Sequence, residues 1–166
     1  MITYHKIVNN RVYTRCLLYK LGLTIHDLNK EMERLGIPKN AEIIADGAEP
    51  KSIDDLFFNY GYKNIRASVK GANSVQTQIE WLKSNYKFYD CMDETNESKI
   101  LEWENFNYKY AVDRNGDSLN KPDDSRFECA ILNRKRVKPD NIQDARRYFV
   151  YTHFNPNIQY LSLIHI

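Results

Sequence analysis

Residues 43–50 read IIADGAEP, and this stretch decides the fold. A short apolar run, which suits a buried strand, ends at the acidic residue Asp46. Pro50 then stands where a helix can begin, because the first helical residue needs no N–H donor. An acid at the carboxyl end of a strand lies where open α/β sheets bind ligands. The stretch therefore predicts an α/β domain with Asp46 at its site, although an Asp that caps the following helix explains the same residues.

The rest of the chain alternates between strand and helix patterns. Two β-rich runs, residues 3–8 and 11–19, predict a hairpin, and Thr24 predicts the cap of a helix that ends at Gly36. Strand–helix alternation indicates a mixed or mostly parallel sheet covered by helices in one domain. Further strands are predicted at 42–45, 64–67, 86–89 and 108–112, further helices near 50–60, 73–85, 95–106 and 141–154, and a polar loop at 113–139.

Composition excludes several classes of protein. A formal net charge of +2 is too small to indicate nucleic-acid binding by itself, so DNA binding would depend on local basic patches. The three cysteines are scattered without zinc-ligand spacing, which favours free thiols in a reducing compartment. There is neither a signal-peptide pattern nor a run of about 20 apolar residues. We therefore expect a protein of the cytoplasm, neither secreted nor bound to a membrane.

Asp144 is the second candidate acid. On the predicted C-terminal helix, Asp140 and Asn141 lie four and three positions before it, so the three side chains can share one face. Acidic side chains at this spacing repel each other unless a cation offsets their charge. A solvated helix face, with Asp144 paired to Arg146 or Arg147, is the simpler interpretation of the same residues.

Two further features have ordinary explanations. Residues 113–117, DRNGD, half resemble a calcium loop, but the Gly falls one place early and an Asn-Gly hairpin turn explains them better. Scattered basic residues could contact a DNA backbone or could simply be solvated. They are Lys63, Arg66 and Lys70, and the cluster of Arg134, Lys135, Arg136 and Lys138.

Five short segments follow one another along the chain with a distinctive order and spacing. The segments are ADGAEPKSI (45–53), VKGANSV (69–75), IEWL (79–82), NYKY (107–110) and DARRY (144–148). Over nearly all of residues 3–154, this series resembles the C-terminal nuclease domain of phage terminase large subunits. In that family a strand ends in Ala-Asp-Ser-Ala-Glu-Pro, and the domain closes with Asp-Ala-x-Arg-Tyr.

The resemblance implies an RNase H-like fold, with a mixed central sheet flanked by helices, and an endonuclease that cuts double-stranded concatemeric viral DNA during genome packaging. It implies two divalent cations, Mg²⁺ or Mn²⁺, with Asp46 and Asp144 as catalytic metal carboxylates. The implied partners are double-stranded DNA, the portal protein, the small terminase subunit and the ATPase domain of the same polypeptide. Supporting roles are implied for Glu49, Asp140 and Asn141, and DNA contacts for Lys51, Lys70, Arg134 and Arg136.

The chain departs from the family pattern in three places. Gly47 replaces a Ser, which we expect to loosen the turn while sparing the acid. Asn141 stands where the family often has His, and an amide can orient a water but cannot carry a proton at neutral pH. The family's first metal Asp lies on the central strand before the hairpin, whereas Met1 already lies on the following strand. We therefore expect this strand to be missing, and the chain alone to cut DNA weakly or not at all.

Two other functions stay open: another RNase H-like nuclease of the Holliday-junction resolvase type, and a non-catalytic DNA-binding remnant. The last residues, LSLIHI (161–166), match the conceptual translation of the mosaic end of a transposon used to prepare sequencing libraries. We therefore expect a terminase-type nuclease domain over residues 1–160 and a non-native tail over residues 161–166.

Overall fold

The structure of the protein, a computed structural model, describes residues 1–71 and 73–155, so the predicted tail at 161–166 lies outside the described residues. From the first hairpin to residue 112, strands and helices follow one another as the sequence predicts. The strands are β1 (Ile2–Val8), β2 (Arg11–Leu18), β3 (Ile43–Ala45), β4 (Ile65–Ala67), β5 (Lys87–Asp90), β6 (Tyr110–Val112), β7 (Ser118–Pro122), β8 (Ala130–Leu132) and β9 (Lys135–Val137). The helices are α1 (Ile25–Arg34), α2 (Pro50–Phe58), α3 (Ser74–Asn85), α4 (Asn96–Asn107) and α5 (Asn141–Phe154).

The described residues form two compact units, each with its own sheet. The hairpin unit comprises residues 1–21 and 73–147, and the strand-pair unit comprises residues 22–71 and 148–155. Helix α5 contributes its first half to the hairpin unit and its second half to the strand-pair unit. None of the described helices is long and apolar enough to cross a membrane.

The hairpin unit is organised by a three-stranded sheet in the order β1-β2-β5. Strands β1 and β2 form the predicted antiparallel hairpin, and β5 lies parallel to β2. Every second side chain of β2 is buried, as expected for a strand with one face on a core. Helix α4 and the start of α5 cover this face. The core that they share consists of Cys16, Tyr19, Leu101, Val137 and Ile142.

The prediction of a loop at residues 113–139 is wrong. In this region β7 pairs antiparallel with β6, which precedes it, and β8 pairs antiparallel with β9, with a short 3-10 helix, Asp124–Arg126, between the two hairpins. Its strands are only three to five residues long and mostly exposed, so they carry no alternating apolar pattern that the sequence could reveal. The Asn-Gly turn at residues 113–117 is confirmed, because it joins β6 to β7.

The strand-pair unit is organised by the parallel pair β3–β4, in which Ala45 lies opposite Ala67. The capping prediction for α1 is confirmed, since Thr24 Oγ1 accepts from the backbone N–H of Asp27 at 3.1 Å. Strand β3 is half-buried, not buried as expected, because in the described part of the chain it pairs with β4 alone. The parallel pairing brings the segments that follow β3 and β4 to one edge of the sheet.

Candidate functional site

Asp46 directly follows β3, at the carboxyl end of the strand pair. Its side chain is 50% exposed, and its Oδ1 accepts from the backbone N–H of Ala48 at 3.0 Å. Helix α2 begins at Pro50 with Glu49 in the cap position and no side-chain cap. The alternative in which Asp46 caps this helix is therefore wrong, and the carboxylate instead forms an ion pair with Lys70.

The turn after β3 is held to the segment after β4 by backbone contacts. The N–H of Ser68 donates to the carbonyl of Ala45 at 2.8 Å, and the N–H of Gly47 donates to Ser68 Oγ at 3.3 Å. A Cβ at Gly47 would lie 3.5 Å from Ala67 Cβ, which is ordinary van der Waals contact. The site therefore has room for the Ser of the family pattern, and Gly47 is not required by backbone strain.

Lys70 reaches Asp46 from the segment that follows β4. The preceding residue, Val69, is buried, and its N–H donates to the hydroxyl of the fully buried Thr152 at 2.9 Å. The Lys70 ammonium lies 5.0 Å from the centroid of the Tyr148 ring, close enough for a cation–π contact. Burial acts to lower the pKa of Lys70, but the hydrogen bonds and charges of Asp46 and Tyr148 together outweigh this effect and raise the pKa, so the side chain stays charged.

Asp144 lies on the first turns of α5, in the hairpin unit. Its side chain is 38% exposed, and its Oδ1 accepts from Arg147 at 2.7 Å. The Arg147 side chain is only 6% exposed and also donates to Oε1 of the buried Gln78 on α3, at 2.9 Å. The ion-pair alternative for Asp144 is therefore confirmed for Arg147, whereas Arg146 pairs with Asp90.

The start of α5 is held by a buried carboxylate. Glu104 of α4 is fully buried, and its Oε2 accepts from the backbone N–H of Ile142 at 2.8 Å. Beside it, the side-chain amide of Asn141 donates to the hydroxyl of Tyr19 at 2.7 Å. Burial raises the pKa of Glu104 to about 7. Burial also raises the pKa of Asp140, with the charge of Asp144 acting in the same direction.

A small cavity of about 90 Å³ opens beside Asp144 in the hairpin unit. Aromatic side chains form part of its wall, and burial raises the pKa values of Tyr108 and Tyr110. Lys83 lies over the Tyr110 ring, with its Nζ 3.9 Å from the centroid.

The remaining predicted site residues lie on the surface. Glu49 and Lys51 are exposed at the start of α2, and Arg134 and Arg136 are exposed on the β8–β9 hairpin. Within residues 1–71 and 73–155, no group of three or more His, Cys, Asp and Glu side chains is arranged to hold a metal ion. The prediction that Asp46 and Asp144 share one site stays a prediction.

Sequence reasoning missed the side chains that support the two acids. Gln78 meets Arg147 across 69 residues of sequence, and Glu104 meets Ile142 across 38. Neither pair has a local pattern, since a Gln or Glu within a helix normally reads as a solvated residue. Lys70 was identified as a basic candidate, but its contact with Asp46, 24 residues away, could not be predicted.

Comparison with known proteins identifies one group of relatives. No protein-family model matches the chain. Among curated proteins, the chain is 34% identical over 87 residues to the terminase large subunit of Bacillus phage SPP1, covering 52% of this chain and 20% of that protein. The chain thus spans about a fifth of the length of this relative.

A solved structure extends this similarity. The nuclease domain of the g2p large terminase from bacteriophage SPP1, crystallised with bound Mn, matches with a TM-score of 0.61 and 25% sequence identity. The match covers 84% of this chain and 70% of that domain. The expected α/β fold is therefore confirmed. In sequence and in fold, the chain is related to the C-terminal nuclease domain of phage terminase large subunits, an RNase H-like domain.

Proposed function

We propose that this chain is the endonuclease part of a phage terminase large subunit. In this proposal the domain uses two divalent cations to cut double-stranded concatemeric DNA during genome packaging. One observation carries the proposal: the family's strand-end acid, Asp46, lies at the carboxyl end of β3 in a chain whose fold matches a Mn-bound nuclease domain. The carboxyl ends of parallel strands are the usual place for a ligand in such sheets.

The chemistry of Asp46 and Asp144 fits a hard divalent cation. Mg²⁺ and Mn²⁺ prefer carboxylate oxygens, and both carboxylates are partly exposed, so solvent-borne ions can reach them. When bound, such cations would supply an activated water and stabilisation for the leaving oxygen of a phosphodiester. In this proposal the two Asp side chains hold the cations, and Glu49 and Asp140 give outer support.

The chain's own residues would orient the reactants. Asn141 can position a water through its amide, but it cannot take the water's proton at neutral pH. Its amide donates to Tyr19 OH, which fixes the orientation of the side chain at the start of α5. The proton would therefore pass to solvent or to a carboxylate, and Asn141 would act only in positioning.

The same proposal implies that the chain contacts DNA and acts together with other proteins of the packaging machinery. Lys51, Arg134 and Arg136 are exposed cations that could contact phosphate groups of double-stranded DNA. In the whole protein, the nuclease would act beside an ATPase domain of the same polypeptide, together with the portal protein and the small terminase subunit. It would work in the cytoplasm of the host cell.

Plasmid nicking tests the proposal. Supercoiled plasmid is incubated with the wild-type chain and with Asp46→Asn, Asp144→Asn and Asp54→Asn, in Mn²⁺, in Mg²⁺ and in EDTA. We expect slow cutting that requires the metal and is lost in the first two variants. Asp54 is an exposed acid on α2, so its variant controls for a loss of charge in the strand-pair unit.

Two outcomes would count against the proposal. Cutting that persists in EDTA, or that survives both Asp46→Asn and Asp144→Asn, would show that these acids hold no catalytic metal. Binding of DNA without any cutting, under every metal condition and also after an upstream strand bearing an Asp is restored, would favour a non-catalytic DNA-binding remnant.

A further inference from the structure

We propose that Lys70 is a positioning residue that holds the Asp46 carboxylate in the cation-free protein, and that a divalent cation binding at Asp46 displaces it. The inference rests on the proposed function, because it concerns how Asp46 would exchange one positive charge for another. It assigns to Lys70 a role different from a contact with the DNA backbone.

The parallel pairing of β3 and β4 holds Lys70 close to Asp46 in the strand-pair unit. Strand β4 is in register with β3, and the N–H of Ser68 extends this pairing past the end of the strands by donating to the Ala45 carbonyl at 2.8 Å. Val69 is then fixed by its hydrogen bond to Thr152. The backbone at Ala45, just before Asp46, and at Ser68 and Val69, just before Lys70, is thus anchored by hydrogen bonds.

Two features allow Lys70 to leave Asp46. Its side chain is 41% exposed, and its long methylene stem can change rotamer without moving the anchored backbone. The Tyr148 ring lies under the ammonium, so a displaced Lys70 keeps a cation–π contact close to its original position.

Arg147 shows the contrasting arrangement at Asp144. Its guanidinium is almost completely buried and donates to Gln78 as well as to Asp144, so it cannot swing into solvent when a cation binds. Of the two cation–acid pairs, only the Lys70 pair is open to exchange. An ammonium and a divalent cation on the same carboxylate oxygen would repel each other, so binding at Asp46 must be coupled to the departure of Lys70.

Metal titration tests this coupling without relying on catalysis. Free Mn²⁺ is measured by electron paramagnetic resonance as it is added to the wild-type chain, Lys70→Met, Lys63→Met and Asp46→Asn. We expect Lys70→Met to bind Mn²⁺ roughly fivefold to tenfold more tightly, because the competing charge is gone. Lys63 precedes β4, at the opposite end of the strands from Asp46, so its loss should leave the affinity unchanged.

A second measurement follows Lys70 directly. Acetylation of lysines by a mild reagent, read out by mass spectrometry, should modify Lys70 faster in Mg²⁺ than in EDTA, because the cation releases the amine from Asp46. Modification of Lys63, which donates to the Phe57 carbonyl at 3.0 Å, should not change with Mg²⁺. Thermal unfolding of each variant establishes that the protein is folded in these titrations.

The outcomes separate this inference from the proposed function. If Asp46→Asn loses Mn²⁺ binding while Lys70→Met binds as the wild type does, or more weakly, the exchange role of Lys70 is overturned and the metal site stands. If Asp46→Asn binds Mn²⁺ as well as the wild type does, or if the wild type binds none, the metal assignment fails and the Lys70 inference fails with it.

Discussion

At the scale of single residues, the charge of Glu104 makes the stability of the protein depend on pH near neutrality. Its pKa is raised from the ordinary value of 4.5 to about 7, chiefly because it is buried. Between these two values the folded protein holds a proton that the unfolded chain has released. The contribution of Glu104 to stability is therefore fully present below pH 4.5, and is lost as the pH rises through 7. A shift of this size corresponds to roughly 3 kcal/mol.

Glu104→Gln should remove this pH dependence, because Gln does not titrate but keeps an oxygen that can accept from the Ile142 N–H. Urea unfolding of the wild type and of Glu104→Gln at pH 5, 6, 7 and 8 measures how the free energy of unfolding depends on pH. We expect the free energy of unfolding of the wild type to fall, relative to that of the variant, as the pH rises from 5 to 7. Glu102→Gln, an exposed neighbour on α4, should follow the wild type. Parallel curves for the wild type and Glu104→Gln would contradict the buried-carboxylate account.

The titration of His5 makes it necessary to compare the wild type with Glu104→Gln at each pH. Burial, aided by the charge of Arg146, lowers its pKa to about 3, so it stays neutral in the folded protein while the unfolded chain takes up a proton below about pH 6.5. Its contribution to stability is lost as the pH falls, which opposes the effect of Glu104. The pH profile of the wild type alone would therefore underestimate the contribution of Glu104.

Arg147 supports a second residue-scale prediction. Replacing it with Met should cost about 2–4 kcal/mol of stability, because Gln78 loses its donor inside the protein and Asp144 loses its cation. Arg114→Met, at an exposed turn position, should change stability by less than about 0.5 kcal/mol. Chemical denaturation of both variants provides the measurement, and equal stabilities would show that the buried ion pair contributes little.

At the scale of elements, the β8–β9 hairpin carries backbone strain. Asn133 and Arg134 form its two-residue turn, with φ angles of 50° and 63°. A turn of this type favours Gly at its second position, because the Cβ of any other residue makes an unfavourable steric contact in the left-handed region. Arg134→Gly should therefore stabilise the protein by about 0.5–1 kcal/mol in thermal or urea unfolding.

The same variant should bind DNA more weakly, since Arg134 is a proposed phosphate contact. Stability and DNA affinity would then move in opposite directions, which no general loss of folding can produce. Arg136→Gln on β9 removes the same charge without relieving the turn, so it should weaken DNA binding and leave stability nearly unchanged. A less stable Arg134→Gly variant would show that the left-handed turn carries no strain.

The elements also show which parts of the fold a sequence can predict. The first hairpin, the helices and the strand before Asp46 were predicted because their periodicity, caps and breakers are local. Strands β7, β8 and β9 were missed because strands of three to five residues on the surface carry no such pattern. In the candidate site, the two acids were identified from sequence, but Lys70, Gln78 and Glu104 gained their roles only from contacts between distant segments.

At the scale of the whole molecule, the proposed DNA binding has to be achieved by a protein whose net charge is only +2. Affinity for nucleic acid therefore depends on where the cations lie and not on their total. Three exposed candidates, Lys51, Arg134 and Arg136, can contact phosphate, whereas Lys70 is neutralised by Asp46 when no cation is present. With three phosphate contacts at about 0.9 counterions each, the logarithm of the DNA affinity should fall with the logarithm of salt concentration with a slope of about −3.

Fluorescence anisotropy with a short DNA duplex in EDTA, from 50 to 200 mM salt, measures this slope. The triple variant Lys51→Gln, Arg134→Gln, Arg136→Gln should give a much shallower slope. A matched variant, Lys6→Gln, Lys30→Gln, Lys121→Gln, removes three exposed charges elsewhere and has the same net charge, +2 − 3 = −1. If DNA binding depends on the proposed contacts, the matched variant keeps the wild-type slope. If the two variants behave alike, only total charge matters, and the assignment of these residues to DNA fails.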